Sequence, residues 1–221
     1  MVEPRRAGLG QGIWSKMVRF TLHGALLCCL GFAPMAAHAQ TEEELLLVEG
    51  ACYSGRLASC AWLGEAFHAG KTIARNDAKA LTYSMMACAG NIANACALAG
   101  RLYRWGEESM RNLTRALASY ELACSGGNKE GCLQAAFMLR DGEGVASNPS
   151  ASMVYGKEAC IQGEALGCAL VASMYELGNG VNSDVKQASE YYRKACRLQL
   201  ELGCEEALRL SNAAGATGKQ E

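Results

Sequence analysis

The chain is poor in proline and histidine and has no excess of charge of either sign. Its 221 residues include 3 prolines and 3 histidines, and 21 basic side chains stand against 22 acidic ones. Proteins that bind nucleic-acid phosphates carry a basic excess, so nucleic acid is not expected as a partner. The scarcity of proline removes the usual helix breaker. No stretch alternates apolar and polar residues as a half-buried strand does. Imidazole-based metal centres need several histidines, and catalytic cofactor motifs are missing, so no metal or cofactor is expected.

A long apolar run is also missing. The nearest to one, Leu22 to Met35 in "MVRFTLHGALLCCLGFAPMAAHAQ", is about 14 residues long, short of the roughly 20 that span a bilayer. Arg19 supplies a short positive segment before it, and Ala37-His38-Ala39 is an A-x-A cleavage site. Together they read as a secretory signal peptide cleaved near Ala39. Residues 1–16 read as an extension upstream of the true start at Met17. The alternative, an uncleaved anchor, suits the short run less well. Cys28 and Cys29 follow Leu27 rather than a small residue, which argues against a lipid-modified terminus.

Removing residues 1–39 takes away Arg5, Arg6, Lys16, Arg19 and Glu3, leaving 17 basic and 21 acidic side chains. Ten of the 12 cysteines and one histidine, His68, remain. Export and an even cysteine count both point to oxidised, paired thiols.

What the sequence does have is a strict repeat. Cysteines stand at 52, 88, 124, 160 and 196, and again at 60, 96, 132, 168 and 204, each series stepping by 36. Alanine precedes every first cysteine, and glycine follows the second by ten residues at Gly70, Gly106, Gly142 and Gly178. The fifth unit has Ala214 there, as a terminal unit would. A fixed period in this range means stacked supersecondary units. Each unit reads as two helices, A and B. Asn148 and Pro149 make a helix start, Thr41 with Glu44 a capping box for the first helix, and "TEEE" at 41–44 an acidic first turn. Leu170, Val171, Met174 and Tyr175 recur at helical spacing, Gly163 marks the turn between helices, and Gly178 a left-handed end. The expected helices are 41–54, 58–68, 77–89, 93–105, 113–125, 129–139, 149–161, 165–176, 184–197 and 201–212, with a flexible tail over 213–221.

The first cysteine closes helix A and the second opens helix B. An antiparallel pair brings the two within about 6 Å between Cα atoms, the reach of a disulfide. Five local bridges are expected: Cys52 with Cys60, Cys88 with Cys96, Cys124 with Cys132, Cys160 with Cys168, and Cys196 with Cys204. The competing reading, structural zinc, prefers closer cysteines and four converging ligands.

The units resemble Sel1-like repeats, relatives of the tetratricopeptide repeat. The fourth and fifth boundaries, "DGEGVASNPSASMVYGKEAC" and "GNGVNSDVKQASEYYRKAC", carry that family's Gly-x-Gly-Val and Tyr-rich signatures. With a Cys-x7-Cys pair in every unit, the resemblance is to the secreted, cysteine-rich Hcp-like type and covers residues 41–212. The second and third units lack the Gly-x-Gly-Val linker, having "GKTIARND" and "GEESMRN" instead, so the resemblance does not fix the loop shape there. The resemblance implies an all-α, right-handed αα superhelical solenoid of five 36-residue repeats over 40–212, with helix A on the concave side. It also implies two kinds of function: binding adaptors of the envelope, and penicillin-binding or weakly β-lactam-hydrolysing proteins.

Few residues fit a hydrolase. Ser183-Asp184-Val185-Lys186 is the one Ser-x-x-Lys weighed as a nucleophile and base, but Ser183 stands where a helix cap belongs. The Ser-Asp-Asn and Lys-Thr-Gly partners are missing, since Lys71-Thr72 is followed by Ile73. His68, one residue from a helix end, reads as an exposed surface histidine. Asn112-Leu113-Thr114 is formally a glycosylation sequon, placed where a cap is expected. Tyr83, Tyr120, Tyr155, Tyr191 and Tyr192 are the candidate groove residues, as aromatic anchors for a peptide or glycan; the competing reading packs them between repeats. The expected function is a monomeric, secreted or periplasmic scaffold that binds a protein or cell-envelope component, without a stable membrane anchor. The alternatives are a β-lactamase-like enzyme and a mitochondrial intermembrane-space assembly factor.

Overall fold

The computed structural model describes residues 33–217, with side chains over 42–213. Ten helices follow one another among these residues: α1 (Ala33–Tyr53), α2 (Leu57–Ala69), α3 (Asp77–Ala89), α4 (Ala93–Trp105), α5 (Leu113–Ser125), α6 (Lys129–Asp141), α7 (Pro149–Ile161), α8 (Ala165–Leu177), α9 (Val185–Arg197) and α10 (Glu201–Thr217). No strand occurs among them. Val48–Glu221 forms one compact unit, and the contacts below lie within it. The expected upstream extension and most of the signal peptide lie outside the described residues.

The odd-numbered helices are the A helices and the even-numbered ones the B helices. All five bridges join the residues expected, with Cα atoms 4.5 to 4.8 Å apart. The chain reverses between the two cysteines through a residue of positive φ in every unit: Gly55 at 95°, Asn91 at 63°, Gly127 at 84°, Gly163 at 82° and Gln199 at 67°. Glycine and asparagine adopt this conformation at least cost. The alanine before each first cysteine is buried in units two to five, because helix B crosses close to it. A Cβ added at Gly131 would stand 2.6 Å from that of Ala123, and one at Gly167 2.6 Å from that of Ala159.

Each A helix from α3 to α9 starts on a side-chain cap. Asn76, Asn112 and Asn148 accept from the backbone three residues on, and Asp184 accepts from Lys186 and Gln187. The cap role of Asn112 is as expected. The cap expected at Ser183 belongs instead to Asp184. Thr41 is not a cap either, because α1 begins at Ala33 and carries Thr41 and the three glutamates in its interior. At the other end α10 continues to Thr217, past the expected 212.

The B-to-A loops close alike despite their different sequences. The amides of Asn76, Asn112, Asn148 and Asp184 donate to the carbonyls of Phe67, Tyr103, Leu139 and Tyr175 at 2.7 to 3.0 Å. Where the Gly-x-Gly-Val linker is present, its second glycine lies against the previous A helix: a Cβ at Gly144 would meet Leu113 at 2.3 Å, and one at Gly180 would meet Pro149 at 2.6 Å. Of the two linkers that lack it, the one at Gly70 starts on a left-handed glycine as those at Gly142 and Gly178 do, whereas Gly106 is extended and the chain turns at Met110, whose amide donates to Glu107. Only the linker after α4 departs from the others.

The core runs along the unit as successive clusters in which an A helix lies between the B helices before and after it. Tyr103, Ala116, Leu117, Tyr120, Ala135, Met138 and Leu139 form one, and Ala136, Met153, Leu170, Val171 and Met174 another. Each pair is thereby completed by its neighbours, as expected for stacked repeats.

Candidate functional site

The A helices turn one stripe away from the B layer. Along α7 it is Val154, Lys157, Glu158 and Ile161, the i, i+3, i+4, i+7 set of one helix face. The equivalent residues are Met85, Met86 and Ala89 on α3, Ala118, Glu121, Leu122 and Ser125 on α5, and Glu190, Arg193, Lys194 and Arg197 on α9. Tyr53 ends the stripe on α1. Large apolar side chains stay exposed here: Met85 at 38%, Leu122 at 52%, Val154 at 64%, Tyr53 at 66% and Ile161 at 70%.

The five candidate tyrosines divide at this face. Tyr83, Tyr120 and Tyr192 are buried, so the groove role expected of them is corrected: their rings fill the space between neighbouring helices. Tyr83 stacks on Phe67 with centroids 5.7 Å apart. Tyr120 packs against Gly100 of the preceding B helix. Burial pushes Tyr120 up to about 12, and burial with the charge of Glu176 does the same for Tyr192. Tyr155 and Tyr191 are half-buried beneath the stripe, and Tyr191 stacks on Tyr175 at 5.8 Å.

Three charges on the stripe are engaged from below. The Tyr83 hydroxyl donates to Glu49 Oε1 at 2.8 Å, the Tyr155 hydroxyl to Glu121 Oε1 at 3.1 Å, and Lys157 Nζ to the Tyr175 hydroxyl at 2.9 Å. Sequence reasoning missed these bonds. The signal was there, since both Tyr–Glu pairs have the same spacing of 34 residues, two units apart.

Ser183 is exposed, and its Oγ donates to the carbonyl of Glu176 at 3.0 Å. Ser147, one repeat earlier, donates in the same way to Arg140 at 2.7 Å. Ser183 is therefore a periodic loop clasp. His68 is half-buried rather than exposed: its Nδ1 lies 3.0 Å from Asp77 Oδ1, and Arg75 grips the same carboxylate. The Arg75 bond and, less strongly, the His68 bond hold Asp77 below the usual carboxylate range. His68 and Ser183 belong to different repeats, at the first B helix and before the last A helix. Arg104, also missed from sequence, is buried and joins repeats by binding Glu143 and Gln134 Oε1 of the next unit. No group of three or more metal-ligating side chains gathers among the described residues. No helix among them is long and apolar enough to cross a membrane.

Comparison with known proteins accounts for this arrangement. The Sel1 repeat model matches residues 57–91, 93–128, 129–164 and 165–200. The chain belongs to the Sel1-repeat family. Each match starts on a B helix and closes after the next A helix. Among solved structures, a protective antigen of uropathogenic Escherichia coli with an SLR fold is similar at 21% identity and a TM-score of 0.66, covering 76% of this chain and 36% of that one. A Sel1 repeat protein of Oxalobacter formigenes is similar at 20% identity and 0.63, covering 66% and 60%. Cysteine-rich protein B of Helicobacter pylori aligns at 26% identity and 0.47, over 58% of this chain and 92% of that one. The chain thus spans about a third of the first relative and three-fifths of the second. No curated protein sequence matches it.

Proposed function

We propose that this Sel1-repeat protein is an exported scaffold, secreted or periplasmic, that binds a protein or cell-envelope component through its helix-A face and acts as a monomer. The observation that carries the reading is the run of exposed apolar side chains along that face, from Tyr53 through Met85 and Leu122 to Val154 and Ile161. Contiguous exposed apolar surface marks interaction sites, and repeat arrays present such surfaces at length. Five disulfides suit an oxidising compartment. The A-x-A site at 37–39 and the apolar run before it support export.

The test is affinity capture from envelope extract with the oxidised protein as bait. Leu122→Ser with Ile161→Ser should remove the captured partner, and Leu166→Ser, at an exposed B-helix position, should retain it. Equal capture by all three proteins would put the binding surface elsewhere. For the hydrolase alternative, chromogenic β-lactam turnover that saturates and disappears in Ser183→Ala would make that serine a nucleophile.

A further inference from the structure

The helix-A stripe changes character along its length. In the first four units its charged groups have partners. Glu49 and Glu121 accept from tyrosine hydroxyls, Lys157 donates to Tyr175, and Glu158 accepts from Gln162 at 2.8 Å. What stays available to a partner there is apolar. On α9 the same positions hold Arg193, Lys194 and Arg197, and none of the three side chains has an ion-pair or hydrogen-bond partner among the described residues. The one anion of that segment, Glu190, accepts from Gln187 at 3.4 Å. Lys194 and Arg197 line a shallow depression with Gln187, Glu190 and Tyr191. Three unpaired cations on four residues of one helix face stand out in a chain that is net acidic beyond residue 39.

We infer that the partner is a polypeptide segment whose apolar side chains lie along the first four units and whose carboxylates lie on Arg193, Lys194 and Arg197. The inference rests on the helix-A face being the binding surface, and it adds the chemistry and polarity of the ligand. Arginine pairs bidentately with carboxylates, and charge complementarity sets register as well as partner choice. A lipid headgroup or free phosphate satisfies the cations but leaves the apolar run uncovered. A polypeptide segment covers both, and for that reason the occupant is a peptide.

The test uses two fluorescent peptides of leucine alternating with serine, one carrying three glutamates at its C-terminus and the other at its N-terminus. Each has a partner with glutamine in place of glutamate. At least one acidic peptide should bind about tenfold tighter than its glutamine partner, the gain expected from three exposed charge pairs, and added salt should shrink the gap. Changing Arg193, Lys194 and Arg197 together to Gln should erase that difference and leave the glutamine peptide's affinity unchanged. Leu122→Ser with Ile161→Ser should weaken both peptides. Thermal melts of the variants, all at exposed or half-buried positions, check that each is folded. Equal affinity for glutamate and glutamine peptides, with the apolar variant weakening both, would overturn the acidic ligand and leave the scaffold reading standing. No binding by any peptide would overturn this inference, while the capture experiment still judges the scaffold. Binding to phosphatidylglycerol vesicles in preference to peptide, or displacement of the acidic peptide by inorganic phosphate, would make the site a phosphate-recognising one and overturn the inference as well.

Discussion

The Tyr155 hydroxyl donates to Glu121 at 3.1 Å across the boundary between the third and fourth helix pairs. Tyr83 and Glu49 repeat the relationship between the first and second, at 2.8 Å. Each bond ties one A helix to the next beneath the exposed stripe. Burial first, and then the glutamate's charge, hold Tyr155 above the ordinary tyrosine range.

Tyr155→Phe should therefore cost about 1 kcal/mol, the usual worth of one such bond. Glu121→Gln should cost less, since an amide oxygen still accepts. A double-mutant cycle in denaturant melts should give a coupling near 1 kcal/mol. Additive losses would mean that the bond contributes nothing between repeats.

The periodic part of this protein was legible in its sequence, and the part that depends on single units was not. A 36-residue step places every cysteine, cap and turn at equivalent sites, so one unit's local chemistry predicts the others. That is why the five bridges and the helix limits from Asp77 to Trp105 agree with the structure. Tyr120 and Tyr192 failed for a physical reason: they are one step further round the helix than Tyr155 and Tyr191, and one step of 100° turns a ring from the edge of the face into the interhelical space. Tyr83 shares the register of Tyr155 and Tyr191, and it is buried because its own neighbours Phe67 and Tyr53 cover its ring. Ser183 failed because serine and aspartate are adjacent cap formers, and the aspartate took the cap. The link between Arg104 and Glu143 has no counterpart among the described residues of the other units, so no periodicity revealed it.

Gly100 provides a sharper test of the packing. A Cβ there would lie 2.7 Å from two carbons of the Tyr120 ring, which is wholly buried. Overpacking of this kind costs about 1–3 kcal/mol, against a helix-propensity gain of about 1 kcal/mol for Gly→Ala. Gly100→Ala should be net destabilising. Adding Tyr120→Leu should recover part of the loss, although the same tyrosine change alone destabilises. If Gly100→Ala raises stability in thermal melts, the A and B helices do not approach as closely as described.

Asp77 sets an acid limit. Arg75 and His68 both bond its carboxylate, and its folded value lies below the unfolded one of about 3.9. Its stabilisation is complete above the unfolded value and is lost as pH falls through the folded value. Asp77→Asn should cost about 1 kcal/mol at neutral pH, a figure reduced for the solvent exposure of Arg75. That difference should close in melts taken progressively below pH 4. A gap between the two proteins that is the same at pH 7 and at pH 2 would show that the carboxylate's charge is not what Asp77 contributes.

The bridges are the last test, because they distinguish a stack of coupled units from five independent staples. A loop of nine residues closed by a disulfide is worth about 2.6 kcal/mol in the chain-entropy account. By that account alone, removing any one of the five costs the same. The structure distinguishes them. Cys124 and Cys132 are buried between neighbours on both sides, whereas Cys196 and Cys204 are half-buried in the final pair. In a nearest-neighbour array the loss of a central unit uncouples both flanks, and a terminal one frays alone. Cys124→Ala with Cys132→Ala should cost about 2–5 kcal/mol and lower the cooperativity of unfolding, read as a broadened denaturant transition. Cys196→Ala with Cys204→Ala should cost less and leave the main transition sharp, with a small separate phase for α9 and α10. If the terminal pair proves the costlier, the units are not coupled through the packing that the core clusters describe.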